Sequence, residues 1–139
     1  MIEWIFKLIT MKKFKYILLF ALIIFSVSSF GLNPDDGAII SAIKSGNSVA
    51  VSKYFNSNVE LSILDNEDVY SKSQAQIILK DFFAKHKVIS FKVLHQGGKN
   101  GSNYLIGNLV TSNGTFRVYY LLKKVGNKQL IQQFRIEDE

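Results

Sequence analysis

The chain has 139 residues, 47% of them hydrophobic and 20% charged, with one proline and no cysteine. That composition suits a single globular domain, and the lack of cysteine excludes a disulfide framework and a lipid-modified cysteine. The formal charge of +6 is partly carried by the first residues: from Leu32 onward 13 Lys and Arg stand against 10 Asp and Glu, and the remaining +3 gives no argument for nucleic acid.

Met11 reads as the functional start, with Met1 to Thr10 arising from an upstream start codon. Lys12, Lys13 and Lys15 form a positive n-region, Tyr16 to Phe25 an apolar h-region, and Ser26 to Gly31 a small-residue cleavage segment. Residues 1–31 are therefore expected to be a signal peptide, and residues 32–139 a domain exported to the periplasm or secreted. The competing reading is an uncleaved anchor, because the run from Tyr16 to Leu32 reaches the low end of the roughly 17–25 residues that span a bilayer. Membrane contact is expected only through such a leader.

Asn33-Pro34-Asp35-Asp36 is a compact helix start: a capping side chain, proline at the first helical position, and two carboxylates at the positive end of the dipole. Ile39, Ile40 and Ile43 make an apolar stripe, and Gly46 stops the helix. Ser48 caps a second short helix, with Val51, Tyr54 and Phe55 on its buried face and Asn56-Ser57-Asn58 closing it. Val59, Leu61 and Ile63 then alternate with Glu60 and Ser62 as a half-exposed strand. Asp65-Asn66-Glu67-Asp68 turns, without the oxygen-ligand spacing or glycine of a calcium loop, and Val69-Tyr70 begins a brief return strand. Ser71 and Gln74 have capping-box spacing, and Ala75, Ile78, Leu79, Phe82 and Phe83 fall on one face of a long third helix.

From Val88 to Ile136 the chain reads as four consecutive antiparallel strands. Ile89, Phe91, Val93 and His95 share a face of the first, which Gly97-Gly98-Lys99-Asn100-Gly101 ends. Asn113-Gly114 suits a two-residue hairpin loop, which pairs Leu109 with Val118, Gly107 with Tyr120 and Leu105 with Leu122. One side of this hairpin is apolar: Leu105, Leu109, Phe116, Val118, Tyr120 and Leu122. At the last turn a loop of three residues, Gly126 to Lys128, is expected, because it puts Phe134 and Ile136 on that side together with Gln132.

Two helices, a short strand pair, a long helix and a four-stranded curved meander make an α+β order that resembles the nuclear-transport-factor-2-like, or cystatin-like, cone. Lys44-Ser45-Gly46-Asn47, Asn58-Val59-Glu60-Leu61, Asp81-Phe82-Phe83, His95-Gln96-Gly97 and the ending Gln132 to Glu137 are similar to a family of small exported bacterial proteins of unknown function within it. The resemblance covers residues 32–139. It implies a sheet wrapped around the long helix with a cavity between them, and it implies no activity, since the fold hosts enzymes, carriers and dimerisation modules.

Ligand-contact candidates in that cavity are Tyr54, Phe82, Phe83, His95, Tyr120 and Gln132. The core-facing positions of the four strands hold no Asp or Glu, so no catalytic residue is assigned; a base without a paired acid or oxyanion donor makes a poor enzyme. His86 and His95 lie on different elements with no carboxylate spaced to join them, so neither a metal nor a cofactor is expected. The other sheet face carries Tyr104, Ile106, Val110, Tyr119, Leu121 and Ile131 with no helix left to cover it, which favours a homodimer. The expected role is thus a non-enzymatic interaction module. A binder of a small apolar or amphipathic molecule is the alternative, and an isomerase or dehydratase would need an acid to enter the cavity from elsewhere.

Overall fold

The computed structural model describes residues 2–7, 10, 13 and 34–139. The chain divides into Met1–Gly31 and Leu32–Glu139. In the first unit the described residues are helical, with Thr10 Oγ1 donating to the Phe6 carbonyl at 2.8 Å. No helix among the described residues is long and apolar enough to cross a membrane. The h-region from Tyr16 to Phe25 and the cap at Asn33 lie outside the described residues.

The second unit opens with α1 (Pro34–Lys44), which carries Asp35 and Asp36 in its first turn and buries Ile39, Ile40 and Ile43. Gly46 ends it at φ 62°, a left-handed conformation that costs glycine little. Asn47, rather than Ser48, caps α2 (Ser48–Ser52): its side chain accepts from the Ala50 N–H at 3.0 Å. The first strand begins earlier than the alternation suggests. β1 (Phe55–Ile63) takes in Phe55 and Asn56 to Asn58 because the Tyr54 carbonyl and Phe55 are drawn into pairing with Ile131.

A two-residue turn, Leu64-Asp65, leads to β2 (Asn66–Ser71), whose Asn66 to Asp68 are ladder residues paired with Ile63 to Leu61 rather than a turn. Ser71 and Gln74 then form the expected capping box of α3 (Lys72–Lys85). Ala75, Leu79, Phe82 and Phe83 on α3 are buried, and Ile78 packs beside them.

The meander follows as β3 (Val88–Lys99), β4 (Ser102–Thr111), β5 (Gly114–Val125) and β6 (Lys128–Asp138). The short pair does not stand apart from it. β1 joins β6 in parallel, giving one six-stranded sheet in the order β2-β1-β6-β5-β4-β3. The helices cover one face, where Phe55, Leu105, Leu109, Tyr120, Leu122, Ile131, Phe134 and Ile136 are all at most 1% exposed.

Three details of register differ from the expected ones. β3 runs on through Gly97 and Gly98 to Lys99, and the reversal is at Asn100-Gly101, both with positive φ. The two glycines are in the strand because Tyr104 and the Asn103 side chain occupy the space that a Cβ would need. At the next hairpin Thr111 pairs with Gly114, so Ser112-Asn113 forms the loop and Leu105 meets Tyr120. This slip of two residues leaves every side chain on its expected face. Asn113 causes it by reaching away from the hairpin, its Nδ2 donating to the Lys85 carbonyl at 3.1 Å and so satisfying the C-terminus of α3.

The last loop has two residues, since Val125 pairs with Lys128, and a bulge at Gln132 then restores Phe134 and Ile136 to the core. Gly107 on β4 makes the hollow that receives the Phe91 ring, which a Cβ there would strike. Gly107→Ala is therefore expected to lower stability by about 1–3 kcal/mol through overpacking. Urea titration measures this, and an unchanged midpoint would show that the ring does not rest in the hollow.

Candidate functional site

Two regions decide what this sheet can do: its helix-covered interior and its open outer face. Inside, Phe82 and Phe83 are buried with ring centroids 5.9 Å apart, and Phe82 meets Phe116 edge-on at 5.2 Å. Tyr120 is fully buried, and Tyr54 is half-buried against the same core. His95 and Gln132 are not with them. A bulge at Leu94 turns His95 to the outer face, exposed and opposite Ile106. Gln132 is the bulged residue of β6, half-buried, and its Oε1 accepts from Asn56 Nδ2 at 3.1 Å. The cluster foreseen around a cavity is thus reduced to three aromatic residues in the core and Tyr54 at its edge.

An acid does enter the interior, from α1. Tyr120 Oη donates to Asp36 Oδ1 at 3.0 Å, and both side chains are buried. Asp36 stands three, four and seven residues before Ile39, Ile40 and Ile43, so helical spacing alone puts it on the apolar stripe. Reading Asp35-Asp36 only as a dipole pair missed that signal. Burial first, then the Asp36 charge and its hydrogen bond, push the Tyr120 phenol far above its ordinary range. The hydrogen bond fastens α1 to β5.

Outside, Ile106, Val110, Tyr119 and Leu121 are half-exposed and Tyr104 is 39% exposed. Ile131 does not belong to this face: the bulge at Gln132 turns it inward, where it is fully buried. Charged and polar groups border the apolar centre. Arg135 lies over the Tyr119 ring, 6.0 Å from its centroid, while its Nη2 donates to Glu60 Oε1 at 3.2 Å. Gln133 Nε2 donates to the other Glu60 oxygen at 3.0 Å. A groove of about 210 Å³ runs between Ile106, Arg117, Tyr119, Gln133, Arg135 and Glu137.

This architecture can be set beside known proteins. Residues 37–137 match the model of a family described as a domain of unknown function, DUF4783. The chain belongs to the DUF4783 family. A DUF4783 crystal structure from Bacteroides ovatus is 41% identical, with 73% of this chain and 93% of that one covered at a TM-score of 0.71. One from Bacteroides uniformis is 40% identical, covering 78% and 98% at 0.72.

At 14% identity, an NTF2-like protein of unknown function from Cytophaga hutchinsonii covers 80% of this chain and 94% of its own at 0.56, which supports the fold alone. The DUF4783 chain therefore has the NTF2-like α+β architecture. No curated protein matches it.

The buried pair in this DUF4783 protein can be tested through proton linkage. Tyr120→Phe removes the hydrogen bond that the phenol donates to the buried Asp36 carboxylate and is expected to cost about 1.5–3 kcal/mol at neutral pH. Because the folded-state pKa is raised, the contribution is complete below the unfolded tyrosine pKa and is lost as pH rises beyond it. The difference between wild type and Tyr120→Phe should thus shrink by about 1.4 kcal/mol per pH unit above about pH 10. Denaturation at a series of alkaline pH values reads it directly; a difference that does not change with pH would contradict the linkage.

Proposed function

We propose that the protein is an exported, non-enzymatic interaction module whose outer sheet face pairs with the same face of a second copy. The observation that carries this reading is the uncovered patch of Ile106, Val110, Tyr119 and Leu121, which the helices leave open on the far side of the sheet. A contiguous apolar patch of this kind marks an association surface more often than it serves a monomer.

Its border suits a two-fold copy of itself. Glu60 on β1 and Arg135 on β6 form an ion pair beside the patch, and Arg117 on β5 faces Glu137 across the ladder, with Lys123 farther along β5. The border thus carries both signs, so acidic groups of one copy can meet basic groups of the other across an isologous interface. The interior phenol is already engaged, since Tyr120 donates to Asp36, which supports an interaction role over a ligand role.

Analytical ultracentrifugation tests the proposal. The wild type should sediment as a dimer at micromolar concentration, and a glutamate in place of Tyr119 or Leu121 should weaken the dimer at least about 30-fold, equivalent to about 2 kcal/mol. A wild type that sediments as a monomer, or a dimer untouched by both substitutions, would overturn it.

A further inference from the structure

At the tip of the β1–β2 hairpin, on the side of the sheet opposite the outer face, a second depression of about 210 Å³ opens between the hairpin and the end of α3. Ile63, Ile78 and Phe82 supply apolar wall, and Leu64, Asp65, Asn66, Asp81, Lys85 and His86 also line it. Two independent features single it out from an ordinary surface dimple.

The first is His86. Its ring is stacked on Phe82 at 4.5 Å and meets Phe116 edge-on at 4.9 Å, so the imidazole is held in one place. Nδ1 is 2.8 Å from Asn113 Oδ1, and the orientation of that amide follows from its Nδ2, which donates to the Lys85 carbonyl. An amide oxygen can only accept, so Nδ1 carries the proton and Nε2 of the neutral ring keeps its lone pair.

The second is Leu64. It sits at φ 54°, in the left-handed region that leucine rarely adopts, and its N–H is fixed to the Ile136 carbonyl at 2.9 Å. Asparagine or glycine would fit this turn without strain. Leucine there places an apolar side chain on the rim of the depression, and strain of this kind collects at ligand-contacting positions.

Two carboxylates, Asp65 and Asp81, and one ammonium, Lys85, line the depression, so its formal charge is −1. The Asp65 carboxylate makes no hydrogen bond or ion pair with a described residue, and Lys85 is engaged by Asp81 at 2.8 Å. We propose that this depression is a binding site for a small molecule with an apolar body and a protonated amine. The body lies against Leu64, Ile78 and Phe82, and the ammonium donates toward His86 Nε2 and Asp65. The site is independent of the outer-face reading, since the two share no residue.

Benzylamine and benzoate, equal in ring and opposite in charge, are the probes. In amide NMR spectra of the ¹⁵N-labelled protein, benzylamine should cause saturable shifts at Leu64, Asp65, Ile78 and His86, leave Ile106 and Tyr119 in place, and be matched by no such response to benzoate. Leu64→Asn should weaken the benzylamine response about fivefold by removing apolar wall, while the melting temperature holds or rises because the turn loses its strain. This variant matters because His86→Ala also removes packing from Phe82 and Phe116. No saturable shift with benzylamine, an equal response to benzoate, or undiminished binding by Leu64→Asn would each overturn the proposal.

Discussion

A strand has two faces and a period of two, so one extra residue exchanges the faces of everything beyond it. Bulges at Ile89 and Leu94 in β3 and at Gln132 in β6 therefore decide the composition of both sides of this sheet. Beyond Leu94, His95 leaves the side that carries Phe91 and Val93. Before Gln132, Ile131 is in the core, and after it Phe134 and Ile136 are too, which an unbroken ladder would forbid. The bulges also bend the strands, and a bent sheet can close over α3 and α1 rather than lie flat on them. The composition of the core and of the outer face both follow from where these three residues stand.

Much of this was readable from residue order, and the parts that were not share a cause. Turn chemistry located all four meander strands, because Asn-Gly pairs and alternating apolar residues act locally. Spacing located α3 and its capping box for the same reason. What local patterns do not carry is a second demand on the same residue. Asn113 looks like hairpin chemistry, yet its amide is committed to the end of α3, and the loop moves back by one residue at each end. Phe55 and Asn56 fit a helix end until β6 offers them a parallel partner 76 residues away.

The candidate site was less readable than the fold for a related reason. His95 and Gln132 were assigned by alternation, and alternation fails wherever a bulge falls. Asp36 was open to a periodicity argument, since it continues the stripe of Ile39, Ile40 and Ile43 toward the helix start. Its partner was not, because nothing in the sequence links α1 to Tyr120, 84 residues on. A buried phenol without an acceptor would be costly, and the Asp36 carboxylate supplies that acceptor while gaining a donor from Tyr120.

That mutual dependence bears on how the interior should be regarded. A tyrosine and a carboxylate inside an NTF2-like cone invite a catalytic interpretation, but catalysis needs groups whose proton affinities lie near the working pH and whose polar atoms face a substrate. Here the phenol is driven away from that range and its proton is directed at Asp36. The polar groups that still have unused capacity lie elsewhere, in the border of the outer face and in the imidazole that Asn113, Phe82 and Phe116 hold at the hairpin tip. In this DUF4783 protein the buried tyrosine and carboxylate fasten α1 to β5, while the imidazole and the charged border stand on surfaces that the bulged sheet exposes.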